Sequence, residues 1–457
     1  MDSFFKITER GSSLRKEVVG GLTTFFAMAY IIFVNANVLT GFIPLDDGAK
    51  LYPAFPAELA PQIMVATCIA AAIGCILTAF LANVPFAQAP GMGLNAFFTY
   101  TVCLGMGYSW QQGLAIVLVS GLIFLIISIS PLRSKIISSI PSSLKAAIGA
   151  GIGLFIAFIG LISSGTGVIS LNSTANITEL HISADGIWNK AALLTIIGLI
   201  IIAVLMAWKV RGAIFIGIII STIIAIPLGV TDVPERLTMS EITLRDTFFA
   251  LDFSGLTAVS GGVLALITAI VSFTIVDMFD TVGTLVGTAG NAGMLDKEGN
   301  LPKGDRAIIA DAVATCAGSC VGTSTVTTYV ESSTGISEGA RTGLSSLIVG
   351  VLFLVSIVLA PIAGIIPGAA TAPALIIVGV LMMKSAAKIA WDDIEIAIPA
   401  FLTIAMMPFA YSISDGIGFG FISYTIIKVT RGKFKEVPIL MYILTVLFLV
   451  MYYLKNR

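Results

Sequence analysis

Residues 272–287, SFTIVDMFDTVGTLVG, place two aspartates, Asp277 and Asp280, on one face of an otherwise apolar helical stretch. The stretch runs from about residue 256 to residue 287 and is long enough to cross a bilayer. A charge at the centre of a bilayer costs roughly 2.5 to 3.5 kcal/mol on insertion scales, so such residues are rare and usually functional. The pair therefore predicts a polar site inside a membrane protein.

The composition of the whole chain indicates a membrane protein. Of its 457 residues, 57% are hydrophobic and 11% are charged, and the mean hydropathy is +1.01. Soluble domains carry roughly 25% charged residues, so we expect a polytopic membrane protein in contact with lipid. A net charge of -1 offers no basic surface for nucleic acid. The five cysteines lack histidine or acidic neighbours at metal-binding spacing, and neither a metal nor a cofactor is expected.

Apolar runs divide the chain into two halves of seven predicted spans. Those of the first half lie near residues 17–38, 61–84, 90–103, 113–130, 144–163, 190–208 and 213–230. Those of the second half lie near residues 256–287, 306–321, 328–338, 342–366, 372–387, 394–411 and 415–430. An odd number of spans in each half means that the halves insert with opposite orientation. A last apolar stretch, 437–454, fits either a further span or an interfacial helix.

Charged loops indicate the orientation of the spans. Basic residues precede the first span and follow the fourth and the sixth, whereas the loops 39–60 and 231–255 are acidic. Positive charge marks the cytoplasmic side, and the opening segment does not have the pattern of a cleavable signal peptide. We therefore expect a multi-pass protein of the plasma (inner) membrane with a cytoplasmic N-terminus. The residues that support this are Lys6, Arg10, Arg15, Lys16, Arg133, Lys135, Lys145, Lys209 and Arg211 on the basic side, and Asp46, Asp47, Asp232, Glu235, Glu241, Asp246 and Asp252 on the acidic side.

Two segments interrupt the helical pattern at matching places in the halves. Residues 88–99, QAPGMGLNAFFT, contain a proline and two glycines, and residues 323–335, TSTVTTYVESSTG, are rich in β-branched and hydroxyl side chains. Each predicts a short extended stretch followed by a half-helix. Non-helical backbone at membrane depth is tolerated only where it is buried in protein or lines a cavity. Paired interruptions of this kind are a pointer to the substrate site of a transporter.

Four polar residues near these segments form a candidate cluster: Asp277, Asp280, Glu331 and Asn95. An ionised carboxylate only accepts hydrogen bonds, whereas a carboxylic acid in an apolar pocket can bind or release a proton near neutral pH. The cluster suits a neutral ligand with several N–H donors that is carried together with a proton. Aromatic side chains such as Phe279 could stack on a flat ring.

A structural role is the alternative for each of these residues. Either aspartate could be an interhelical hydrogen-bond partner that stabilises the fold, with Thr281 near enough to serve it. Glu331 could also act in this way, and so could Asn95, since side-chain amides often join membrane helices.

Four stretches of the chain resemble the AzgA-like hypoxanthine/guanine/adenine permeases of the nucleobase-cation symporter superfamily. They are GSSLRKEVVGGLTTFFAMAYIIFVNANVL at 11–39, APGMGLNAFFTY at 89–100, FDTVGTLVG at 279–287 and TTYVESSTGI at 327–336. The resemblance implies an all-α protein of fourteen spans in two inverted repeats, with extended stretches in spans 3 and 10. It also implies proton-coupled purine uptake and, at superfamily level, a homodimer formed through the gate domain.

The resemblance further implies a division into a core and a gate domain. The core comprises residues 17–138 (spans 1–4) and 256–368 (spans 8–11), and the gate comprises residues 139–232 (spans 5–7) and 369–457 (spans 12–14 and the C-terminal segment). The family's substrate-site residues fall on Asn95, Asp277, Asp280 and Glu331.

The sequence thus predicts a symporter of purine bases (hypoxanthine, guanine, adenine) and protons that works by alternating access, and not an enzyme. We expect Asp277 and Glu331 to contact base N–H groups, with Thr328 and Phe279 also at the substrate. Asn95 is placed at the substrate site as well, where it would hold the core helices or orient a carboxylate. Asp280 is assigned to proton coupling or support of the site, together with Thr281.

Two other functions remain open at this point. An inorganic anion transporter or exchanger could share the fold, although an anion site would not be expected to contain three carboxylates. An intramembrane aspartyl hydrolase needs two carboxylates from separate helices, whereas Asp277 and Asp280 share one helix.

Overall fold

Helices occur in all fourteen predicted spans. The computed structural model describes residues 2–41, 54–130, 133, 136, 139–162, 169–174, 177–182, 189–231, 242–259, 261–296 and 301–455. Lys135 and five acids of the two acidic loops, Asp46, Asp47, Asp232, Glu235 and Glu241, lie outside these residues. Within them, eight helices are long and apolar enough to cross a membrane, and Ala213–Leu228, Ile394–Phe409 and Ile439–Tyr453 are shorter apolar helices.

We number the spans in chain order and keep these numbers below. The first half contains Leu14–Met28 with Ile31–Leu39 (span 1), Ala60–Leu77 with Thr78–Ala82 (span 2), Met92–Ala96 with Phe97–Gly105 (span 3), Trp110–Ile129 (span 4), Ser142–Ile162 (span 5), Lys190–Ala207 (span 6) and Ala213–Leu228 (span 7). The second half contains Gly262–Asn291 (span 8), Gly304–Val321 (span 9), Ser332–Ser337 (span 10), Gly343–Ser356 with Ile357–Ile365 (span 11), Gly368–Met383 with Lys384–Lys388 (span 12), Ile394–Phe409 (span 13) and Ile413–Thr430 (span 14). The described residues also form short helices at Asp2–Phe5, Ala57–Leu59 and Phe434–Glu436 and the C-terminal helix Ile439–Lys455.

Two short sheets accompany the helices. Strand β1 (Gln88–Pro90) pairs antiparallel with β4 (Val326–Thr328), and β2 (Ile169–Thr174) pairs antiparallel with β3 (Ile177–Ile182). The first pair joins the extended stretches predicted before spans 3 and 10, and so confirms both of them. The second pair lies between spans 5 and 6.

One predicted boundary differs clearly from the structure. Span 8 begins at Gly262 rather than near residue 256. Gly261 and Gly262 have φ angles of +93° and +56°, so the chain turns there and a right-handed helix cannot continue through them. The face that carries Asp277 and Asp280 is unaffected, because both residues lie in the interior of the helix.

The packing of the helices repeats when the two halves are exchanged. Span 4 packs on span 9 as span 11 packs on span 2, and span 13 packs on span 5 as span 6 packs on span 12. Spans 2 and 9, and spans 5 and 12, contact each other directly. The antiparallel pairing of β1 with β4 follows the same relation. The fold is therefore a helical membrane bundle of two inverted repeats.

Spans 1 and 10 approach each other through glycine. A Cβ atom added to Gly335 would contact Thr24 Oγ1 and the carbonyl oxygen of Gly20, and one added to Gly20 would lie 2.7 Å from the Cβ of Ala340. Small residues allow such close backbone contact between membrane helices. This contact holds the short helix of span 10 against span 1.

Replacing Gly335 with alanine is expected to lower the thermal stability of the protein, because the added methyl group has no space between spans 1 and 10. Overpacking of this kind costs about 1–3 kcal/mol. The midpoint of thermal unfolding in detergent measures the effect. The matched control is Gly368→Ala, since a Cβ atom there meets nothing within 4 Å. An equal loss of stability in both variants would contradict the proposed contact.

Candidate functional site

The paired strands β1 and β4 form the centre of the site. Their register aligns Gln88 with Thr328 and Pro90 with Val326. The pairing continues on both sides, because the Gly91 N–H donates to the Thr325 carbonyl at 3.0 Å and the Tyr329 N–H donates to the Ala87 carbonyl at 3.0 Å. The two interrupted spans thus satisfy each other's backbone groups inside the bundle.

Glu331 and Asp280 are the two partly exposed carboxylates beside these strands. Glu331 immediately precedes the helix of span 10, and its Oε1 accepts a hydrogen bond of 2.8 Å from the Tyr30 hydroxyl. Tyr30 lies at the break between the two helices of span 1. Asp280 is close enough to Glu331 for their charges to interact. Two partly exposed acceptor groups from different spans therefore lie close together.

Asp277 lies deeper than Asp280. It is 1% exposed, and its Oδ2 accepts a hydrogen bond of 2.9 Å from the Thr315 hydroxyl of span 9. The Val326 carbonyl oxygen of β4 lies 2.8 Å from the same hydroxyl oxygen, so the two acceptors share its single proton. Asp277 Oδ1 has no hydrogen-bond partner among the described residues. Asp277 thus joins spans 8 and 9 to β4 behind the accessible surface.

Asp311 is a further buried acid that the sequence analysis missed. It lies on span 9, is fully buried, and accepts a hydrogen bond of 3.0 Å from the Thr328 hydroxyl of β4. Its charge interacts with that of Asp277. An aspartate within the predicted span 306–321 carries the same insertion cost as Asp277, and that cost was the signal that could have identified it.

The structure places Asn95 and Thr281 in supporting contacts. Asn95 is fully buried and its Oδ1 accepts a hydrogen bond from the Ser324 hydroxyl, so it ties span 3 to the segment before β4. Thr281 is also fully buried, and its hydroxyl lies 2.9 Å from that of Thr327 on β4. Thr328 is buried as well and faces Asp311.

Phe279 and two glycines lie on the accessible side of span 8. Phe279 is partly exposed, and the ammonium group of Lys145 from span 5 lies 5.6 Å from the centre of its ring. Gly283 and Gly287 follow Asp280 by three and seven residues, which places them on one helix face. A Cβ atom added to either would meet nothing within 4 Å. Open space therefore continues from Asp280 along span 8.

The structure places Asp277, Asp280 and Glu331 around β4, whereas Asn95 bonds to Ser324 in the segment before it. Chemically, two accessible carboxylates offer several acceptor sites for N–H donors, and a protonated carboxyl adds a donor. A multi-pass helical bundle of inverted repeats, with two interrupted spans meeting at a polar centre, defines a membrane transporter.

Comparison with known proteins gives the family. The family model described as "Permease family" (Xan_ur_permease) matches residues 15–419, and the chain belongs to that family. It is 43% identical over 454 residues to the guanine/hypoxanthine permease PbuG of Bacillus subtilis (strain 168), covering 98% of each chain. It is 38% identical to the adenine permease AdeP of Escherichia coli (strain K12), covering 98% of this chain and 95% of AdeP.

Solved structures show the same fold at low identity. The transmembrane domain of the cyanobacterial bicarbonate transporter BicA superposes with a TM-score of 0.60 at 16% identity, covering 93% of this chain and 97% of that chain. The murine Slc26a9 anion transporter in the inward-facing state gives a TM-score of 0.62 at 12% identity, covering 92% and 69% of the two chains. These likenesses concern the fold alone. The family match and the relatives named as permeases identify the chain as a membrane transporter.

Replacing Thr315 with valine is expected to reduce thermal stability, because valine keeps the shape but leaves Asp277 and the Val326 carbonyl without their common donor. An unsatisfied buried group costs about 1–3 kcal/mol, and more when it is charged. The unfolding midpoint in detergent measures this loss. Thr268→Val on span 8 is the control, because its hydroxyl donates only to the Leu264 carbonyl of its own helix. Equal stability of the two variants would contradict the structural role of Thr315.

Proposed function

We propose that this protein takes up purine bases together with protons and that the base binds between Asp280 and Glu331. The observation that carries this proposal is the pair of partly exposed carboxylates contributed by spans 8 and 10 beside the paired strands. Purine bases present N–H donors at their ring edges, and carboxylates accept from such donors. The relatives that are named as guanine, hypoxanthine and adenine permeases support the same ligand class.

Burial suggests a division of labour between the two aspartates of span 8. The sequence alone favoured Asp277 at the base and Asp280 in support. Because Asp277 is buried against Thr315 while Asp280 is partly exposed, we assign direct contact to Asp280 and support to Asp277. Glu331 keeps its predicted role at the base. Phe279 is assigned to stacking on the flat ring.

Supporting roles follow for the remaining predicted residues. Asn95, Thr281 and Thr328 are fully or almost fully buried and bond to neighbours within the bundle, so we propose that they hold the strands and helices around the base. The proton is assigned to the carboxyl groups of the site. A buried carboxyl group that becomes protonated as the base binds would couple the movement of the proton to that of the base.

Alternating access is the proposed mechanism of transport. We assign residues 17–138 and 256–368 to a moving core and residues 139–232 and 369–457 to a gate. Contacts between elements of the two parts include that of Lys145 of span 5 over Phe279 of span 8 and the ion pair of Arg211, which precedes span 7, with Glu338 at the end of span 10. Movement of the core against the gate would break such contacts and form them again in each transport cycle.

The membrane setting completes the proposal. We place the protein in the plasma membrane with the N-terminus in the cytoplasm, on the basis of the basic residues on one side of the bundle. A homodimer through the gate domain is proposed from the resemblance to the superfamily.

An inorganic anion is the second candidate ligand, since the structural neighbours include a bicarbonate transporter and an anion transporter. Asp280 and Glu331 argue against it, because two neighbouring carboxylates repel an anion at short distance. Competition of labelled hypoxanthine uptake by a panel of purines, pyrimidines and inorganic anions separates the two candidates. Inhibition by bicarbonate or sulfate without inhibition by purines would favour the anion.

Replacing Glu331 with glutamine or Asp280 with asparagine is expected to abolish concentrative uptake of hypoxanthine. Hydrogen bonds to a charged group contribute about 1.5–3 kcal/mol, so each change should weaken binding by about tenfold to a hundredfold. Uptake of labelled hypoxanthine into cells, normalised to protein in the membrane, measures the loss.

The control for both variants is Asp305→Asn, because this aspartate pairs with Arg133 and its side chain is 73% exposed. It should retain normal uptake. Normal accumulation by Glu331→Gln or Asp280→Asn would contradict the proposed binding site.

A protonophore is expected to abolish accumulation, while replacement of sodium should leave it unchanged. One proton driven by a potential of about 150 mV supplies roughly 3.5 kcal/mol, which supports accumulation of a few hundredfold. The ratio of internal to external hypoxanthine should therefore fall to about 1 when the proton gradient is removed. Strict sodium dependence of the same ratio would refute proton coupling.

A further inference from the structure

The C-terminal helix, Ile439–Lys455, has no polar face. Residues 437–454 contain no charged side chain. An interfacial helix needs a polar side toward water, with its apolar side toward the lipid. Here the strongly exposed residues form an apolar stripe along the helix: Ile439, Ile443, Val446, Leu449, Val450 and Tyr453. A surface of this kind matches the hydrocarbon of a bilayer rather than its boundary with water.

The opposite face of this helix packs antiparallel against span 14 between Asp415 and Thr425. Thr445 lies 2.8 Å from Thr425 between their hydroxyl oxygens, and the Tyr452 hydroxyl donates to the Asp415 carbonyl at 3.2 Å. Between these contacts the ring centres of Phe448 and Phe421 are 6.3 Å apart. The residue numbers of these contacts rise along the C-terminal helix as they fall along span 14, so the two helices are antiparallel. Because Asp415 is two residues from the start of span 14, the C-terminal helix extends almost as far across the membrane as span 14 does.

The two ends of this helical pair lie on opposite sides of the membrane. Span 14 ends in a basic cluster, where Lys428, Arg431 and Lys433 all pair with Glu395. Together with Glu436, which pairs with Lys428, these residues carry a net positive charge, and positive charge marks the cytoplasmic side. The contact of Tyr452 with Asp415 is at the other end of span 14. The helix therefore begins in the cytoplasm and ends at the extracellular side.

We propose that Ile439–Lys455 is a fifteenth membrane-spanning helix and that the residues after Lys455 lie on the opposite side of the membrane from the N-terminus. Its 17 residues exceed the 16 of span 7 and the 16 of span 13. At 1.5 Å per residue it is about 25 Å long, which nearly matches a hydrocarbon core of about 30 Å. This arrangement goes beyond the fourteen spans implied by the family resemblance.

Labelling of single cysteines in intact cells tests the proposal on the full chain. The background replaces Cys316 and Cys320, the two partly exposed cysteines, with serine. A membrane-impermeant maleimide should label Asn456→Cys in intact cells. It should label Ser3→Cys and Lys435→Cys only after permeabilisation, because both positions are exposed and belong to the cytoplasmic side. Each variant is first checked for an unchanged unfolding midpoint.

Each labelling result either supports or contradicts a fifteenth span with this orientation. If Asn456→Cys is not labelled in intact cells but is labelled after permeabilisation, the fifteenth span is overturned. Labelling of Lys435→Cys from outside would overturn the orientation on which the proposal rests. A fusion of alkaline phosphatase after Arg457 gives a second measurement, and it should be active there but inactive when fused after Glu436.

Discussion

The hydrogen-bond requirement of the backbone inside a membrane determines the position of the site. A helix satisfies its own N–H and C=O groups, but spans 3 and 10 each contain an extended stretch that does not. The two stretches pair with each other as β1 and β4. Side chains complete the pairing, since the Ser332 hydroxyl accepts from the Ala87 N–H at 3.0 Å and the Thr315 hydroxyl bonds to the Val326 carbonyl. The two interrupted spans satisfy each other's backbone groups where they meet inside the bundle, and the candidate site lies there.

Much of this architecture could be predicted from the sequence, because its causes are local. Long apolar runs predict the spans, and proline, glycine and β-branched residues predict the extended stretches. Asp277, Asp280 and Glu331 were identified because carboxylates are costly in a membrane. The order of burial of the two aspartates could not be predicted in this way. Residues three apart lie on the same helix face, and what distinguishes them is Thr315 on span 9, which no pattern within span 8 indicates.

Contacts between distant parts of the chain are another feature that could not be predicted from the sequence. Tyr30 contacts Glu331 across 301 residues, and Asn35 donates to both Thr67 of span 2 and Thr323 before β4. Nothing in the local sequence of span 1 indicates these partners. The same limit applies to function, because relatives of this fold include anion transporters whose chemistry differs. The fold supplies a meeting point of two half-helices, and the side chains placed there decide which ligand it accepts.

The exposed ion pair between Arg211 and Glu338 has a consequence for the balance between the conformers of the proposed cycle. Their side chains are 59% and 29% exposed, and a pair of this kind contributes about 0–1 kcal/mol. One kcal/mol changes the ratio of two conformers by only about fivefold at 25 °C. A bond of this strength can bias which side of the membrane the site opens toward without arresting the protein in one state. Since salt screens exposed charges, the resting bias of the proposed cycle should depend on ionic strength.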